Sequence, residues 1–182
     1  ERILTAMQGG IPDTVPVQVG VYEMIPAKMT GLPWWDVFLF HRAELWRYRL
    51  DLIKLFAFDG YLYVGLDSSP GHSDQRTVSR AIVRQDDEYI VQRTTYHTPD
   101  GDLWEERTYP RRECSTVTRG LIKDKRDFEI YLKHFFPADT VYQCDTIAAT
   151  TAAMGDLGAI GGTVGLPGLH ALTDLVDGRL EN

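Results

Sequence analysis

ERILTAMQGGIPDTVPVQVG, residues 1–20, holds the pattern from which the fold is read. Ile3, Leu4, Ala6 and Met7 predict a short apolar helix, stopped by Gly9-Gly10, because glycine leaves a helix at no steric cost. Pro12-Asp13 predicts a turn in which the Asp13 carboxylate accepts nearby backbone N–H groups. Pro16 confines Val15 to extended geometry, and the β-branched run behind it predicts a buried strand from Val15 to Tyr22.

Outward from that stretch, Pro26, Gly31 and Pro33 mark a loop, and a helical region follows from about residue 34 to 58. Within it Leu45, Trp46, Tyr48, Leu52, Ile53 and Phe56 recur at helical spacing, opposite Arg42, Arg47, Arg49 and Lys54. Asp59-Gly60 ends the helix, and Tyr61 to Leu66 predicts a second strand. Its continuous apolar character suits a parallel strand covered on both faces. Strand, helix and strand make a βαβ unit, for which a right-handed crossover is expected.

The texture then changes. Residues 77–110 alternate as paired antiparallel strands, over Ala81 to Arg84, Tyr89 to Tyr96 and Leu103 to Tyr109. Asp86-Asp87 and Pro99-Asp100-Gly101 supply the turns, so this region reads as a β-hairpin insertion. Asp124 is placed to cap a helix through Phe135, and Thr140 to cap another reaching about Met154. A third inner strand, Ala159 to Val164, ends in Gly165-Leu166-Pro167-Gly168, with a helix beginning near His170.

At 182 residues one good core is expected. A hydrophobic share of 43% and a charged share of 25% are those of an ordinary globular chain. The net charge of −7 argues against a nucleic-acid partner, since the longest basic cluster is Arg111-Arg112. Cys114 and Cys144 form no CxxC or Cys/His cluster and read as reduced thiols. No leading signal segment and no apolar run of ~18 residues is visible, which predicts a cytoplasmic protein without a membrane partner.

Helix, Pro-Asp turn and a strand opening on Val15-Pro16-Val17 resemble the start of the uroporphyrinogen decarboxylase superfamily. Asp100, Gly101 and Trp104 approximate the D-G-x-x-W hairpin segment of its corrinoid-linked methyltransferase branch. The resemblance implies an α/β fold, a partial (β/α)₈ TIM barrel with about three inner parallel strands. A complete barrel needs ~250 residues, so the chain would form its N-terminal half and would self-associate or pair with the missing half. The decarboxylase places an arginine-rich segment after strand one, where this chain has Val21 to Ala27 and no arginine. The resemblance therefore favours methyl transfer with a corrinoid protein as partner. Uroporphyrinogen decarboxylation is the alternative, and a non-catalytic half-barrel assembly module the second. It implies no cofactor within these residues, while zinc and a corrinoid partner would serve the whole enzyme.

Reactive groups of such barrels lie at the C-terminal strand ends. That rule makes Asp67, Glu23 and His72 the catalytic candidates, with Tyr22, His170 and Gly165 as contacts for a small-molecule substrate. Each has a plainer reading. Asp67 suits a turn cap, Glu23 a solvated loop charge, His72 a polar loop and His170 a helix start. His41 and His134 read as helix-surface residues and His97 as part of the hairpin turn. Trp34-Trp35 reads as an apolar helix start that can also line a substrate mouth. GAIGGTVG lacks the G-x-G-x-x-G spacing, and no P-loop, HExxH or G-x-S-x-G string occurs.

Overall fold

A computed structural model describes residues 2–20, 22–69, 75–136, 141–163 and 175–177, with the backbone alone for 67–69. The chain is mixed α/β, with a two-stranded parallel sheet, a four-stranded antiparallel sheet, a further short two-stranded pair and no closed barrel among the described residues. It divides into two compact units, one of residues 1–32, 41–68 and 142–165, the other of 33–40, 69–141 and 166–182. The short strands β2 (Asp67–Ser69) and β7 (Val141–Gln143) pair with each other. No helix among the described residues is long and apolar enough to cross a membrane.

In the first unit, α1 (Arg2–Met7) ends at Gly9, whose φ of 79° only glycine adopts freely. The expected strand from Val15 to Tyr22 is not formed among the described residues. Residues 15–20 belong to no helix and no sheet ladder, and Val15, Val17 and Val19 are exposed. β-branched composition favours extended backbone, but a strand also needs a neighbour along its length. Glu23 begins α2 (Met24–Met29), so the expected loop is helical there, with Pro26 in the first turn, where its missing N–H costs nothing. The single helix expected over 34–58 is broken. α3 (Trp34–Phe38) and α4 (Leu45–Phe56) are separated by His41, which takes a φ of 50°.

Ala57 closes α4 in the left-handed conformation and β1 (Gly60–Gly65) follows. α6 (Asp145–Met154) begins four residues later than a Thr140 cap would allow, with Cys144 at its N-cap; Thr140 itself lies outside the described residues. A 3₁₀ turn, Gly155–Leu157, leads into β8 (Gly158–Thr163). β1 and β8 run parallel and in register from Gly60 opposite Gly158 to Gly65 opposite Thr163. Leu50, Ile53, Leu62 and Met154 form the core of this unit, joined by Trp46, Phe58, Leu157 and Ile160. Leu62 and Val64 are thus the helix-covered positions of β1. By strand alternation Tyr61 and Tyr63 stand on the other face, where Tyr63 is exposed.

The second unit is built on β3 (Thr77–Gln85), β4 (Tyr89–Thr98), β5 (Gly101–Pro110) and β6 (Thr116–Arg119). These pair antiparallel in chain order. The three strands expected over 77–110 are present, and β6 extends them. Asp124 caps α5 (Lys125–His134) by accepting from the Asp127 N–H at 2.9 Å. α5 covers Leu103, Leu121 and Ile130, with Tyr96, Tyr131 and Phe135 around them. Lys123 fastens this packing. Its ammonium donates to the carbonyls of Gly120 and Leu121 at 2.9 and 3.2 Å, and stands 4.0 Å from the Trp104 ring. α3 begins at the buried Trp34, whose N–H donates to the Arg111 carbonyl at 2.9 Å.

Candidate functional site

The parallel pair fixes the geometry of the candidate site. Gly65 stands opposite Thr163, and the Leu66 N–H donates to the Thr163 carbonyl at 3.1 Å. The register therefore brings Leu66, and with it the backbone of Asp67, to the end of the sheet at which Thr163 closes β8, its C-terminal end. Gly165, His170 and His72 lie outside the described residues. Asp67 is the first residue of β2.

Glu23 and Tyr22 sit before α2. Tyr22 is exposed, and Glu23 accepts from Arg49 Nη2 at 3.2 Å. Glu23 is the more exposed partner, its side chain 54% accessible against 17% for Arg49. Arg49 Nε is buried with no hydrogen-bond partner, so the pair leaves one donor of the guanidinium unmet. Sequence reading missed Arg49 as a partner of Glu23, because helical spacing places it on the polar face of α4 without saying what it reaches.

Described residues of the first unit line two cavities considered as candidate sites. The larger, about 630 Å³, is lined by Arg2, Thr5, Ile11, Asp13, Asp59 and Asp156. Asp59 precedes β1 and Asp156 precedes β8, so this cavity opens at the amino-terminal strand ends, away from Asp67. Its charges are largely paired internally. Arg2 donates twice to Asp13, at 2.6 and 2.8 Å, and lies 3.6 Å from Asp59. This fork holds the Asp13 carboxyl down at about 2, the hydrogen bond from Arg2 being the largest cause. The second cavity, about 370 Å³, lies between α1 and the Tyr61/Tyr63 face of β1, with Pro16 and Gln18 on its wall. The two rings meet edge to face at 4.8 Å, and the Tyr63 hydrogen bond, then burial, pushes the Tyr61 hydroxyl upward.

Among the described residues no three His, Cys, Asp or Glu side chains converge as a metal-binding group, and Cys114 and Cys144 are both exposed.

The second unit holds an arrangement the sequence did not reveal. His97 belongs to β4 rather than to the hairpin turn, opposite Asp102 of β5. His97 Nδ1 lies 3.0 Å from Asp102 Oδ2, and its Nε2 lies 3.0 Å from Ser79 Oγ on β3. The two-residue Pro99-Asp100 turn was the available signal, because it sets His97 against Asp102. His134 pairs with Asp100 at the tip of the same turn, with Lys133 reaching that carboxylate at 2.6 Å.

Comparison with protein-family models, with characterised proteins and with solved structures returned no match for this chain.

Proposed function

We propose that the chain is the N-terminal part of a uroporphyrinogen decarboxylase-like (β/α)₈ enzyme that moves a methyl group between a small-molecule substrate and a corrinoid protein. One observation carries the barrel reading: β1 and β8 pair in parallel with helices on one face, while Tyr61 and Tyr63 are carried on the other. Parallel sheets occur almost always with both faces covered, as the strands of a barrel are. The doubled hydrogen bond between Val17 and Asp59 supports it further, tying residues 15–20 to the start of β1. Taken with β8, those segments follow chain order as the first three staves of a barrel would.

On this reading the resemblance assigns the catalytic roles to Asp67, Glu23 and His72 and substrate contact to Tyr22, His170 and Gly165. Methyl transfer is favoured over decarboxylation by the segment after residue 20, which carries Glu23 where a multiply carboxylated substrate would need cations. The protein containing this chain is to be assayed for methylation of free cob(I)alamin by methylated thiols and amines, and separately for CO₂ release from uroporphyrinogen. Corrinoid methylation that falls at least 100-fold in Asp67→Ala, but not in Asp51→Ala on α4, is the expected result. Decarboxylation without methyl transfer would give the alternative chemistry, and a folded, inert, tightly dimeric protein would give the assembly module.

A further inference from the structure

The antiparallel sheet offers a second chemistry that does not depend on the barrel reading. We propose that Ser79, His97 and Asp102 form a nucleophilic serine site that takes the acyl group of small activated esters and passes it to water. An ionised Asp102 can only accept, so its 3.0 Å contact places a proton on His97 Nδ1. A neutral ring then presents a bare Nε2 to the Ser79 hydroxyl, 3.0 Å away. Nucleophile, base and orienting carboxylate thus stand in the hydrogen-bond chain that activates serine, a relation defined by geometry and not by chain order or motif.

The sheet register shows how the three meet. His97 is directly opposite Asp102, and Ser79 is opposite Thr95, two residues from His97 on the same face. That alignment exists only because β3 is bulged between Ile82 and Arg84. Counting back from Gln85 opposite Ile90 without a bulge, Ser79 would face Tyr96 and point to the opposite side of the sheet. One extra residue re-aims the hydroxyl onto the imidazole, a use to which bulges near reactive sites are commonly put.

In the first step Ser79 Oγ attacks the ester carbonyl while its proton passes to His97 Nε2, and the Oγ–C bond forms. The C–O bond to the leaving group then breaks, and that oxygen takes the proton from His97. Water attacks the acyl-serine by the reverse sequence, releasing the acid and restoring Ser79. All three side chains are exposed, on a sheet face rather than in a cleft. The site therefore selects by reactivity and not by shape, which limits it to small esters with good leaving groups.

The test uses the full chain with p-nitrophenyl acetate and a fluorophosphonate probe, followed by peptide mapping. One modification per chain at Ser79 is expected, lost in Ser79→Ala and regained in Ser79→Cys. Acylation should slow about 100-fold in His97→Ala, the scale of a lost general base, and also slow in Asp102→Asn. Circular dichroism of each variant confirms the sheet. Labelling of Ser79 no faster than of Ser115, or ester hydrolysis undiminished in folded Ser79→Ala, would overturn the proposal. An imidazole acting alone would produce that second result.

Discussion

Val17 and Asp59 hold each other through two hydrogen bonds. The Val17 N–H donates to Asp59 Oδ2 at 3.0 Å, and the Asp59 N–H donates to the Val17 carbonyl at 2.9 Å. These bonds fasten an exposed, ladder-free stretch to the start of β1. Asp59→Ala removes the carboxylate half of the tie and the neighbour of Arg2. It should cost about 1 kcal/mol in denaturant unfolding and speed proteolysis within residues 15–20. Unchanged cleavage there would show that the tie does not hold the segment.

What could be read from the sequence and what could not divides along local and non-local causes. Gly9, the Asp124 cap and the Pro99-Asp100 turn act within a few residues, and each does in the structure what its chemistry predicts. Val15 to Tyr22 failed as a strand because pairing is decided by a distant neighbour. The break at His41 was hidden because no glycine or proline marks residues 39–44, and apolar periodicity resumes after it. For the candidate sites, the shared end of β1 and β8 was legible from their apolar runs. The Ser79–His97 contact was not, because the bulge that creates it leaves no signature in residue type.

The Asp13–Arg2 fork gives a pH dependence whose sign is fixed. Asp13 is lowered from an ordinary 3.8 to about 2 in the folded chain. Its contribution is fully present above about pH 4 and is lost as pH falls through about 2. Asp86 and Asp100 are lowered in the same direction, the first by the N–H groups of Glu88 and Tyr89, the second by Lys133 and His134. NMR titration of the Asp13 carboxyl should show the low midpoint, and Arg2→Gln should return it toward the ordinary value. A midpoint near 3.8 in the unaltered protein would dismiss the fork.

Two glycines of the parallel pair should respond oppositely to alanine. A Cβ on Gly158 would lie 1.8 Å from the Gly60 carbonyl oxygen and 2.5 Å from its Cα, a clash of backbone against backbone. One on Gly65 would meet nothing within 4 Å. Gly158→Ala should therefore cost about 3 kcal/mol or more, while Gly65→Ala stays within ~1 kcal/mol of neutral. Thermal or urea unfolding of the two variants checks this, and equal effects would mean that β1 and β8 do not approach as closely as the register requires.

Glu23 and Arg49 separate a structural role from a chemical one at the proposed mouth. Glu23→Ala takes the carboxylate from a guanidinium that is mostly buried and already has one unmet donor. A half-satisfied buried charge is costlier than none, so this change should destabilise by about 1–3 kcal/mol. Arg49→Met removes the orphaned charge as well as the pair while keeping the apolar stem, and Glu23→Ala combined with Arg49→Met should recover most of the loss. Urea unfolding of the single and double variants measures the coupling. If Glu23→Ala is as stable as the parent protein, Arg49 is solvated without its partner and the pair is only a surface contact. If stability returns in the double variant while methyl transfer does not, Glu23 acts on substrate in addition to holding Arg49.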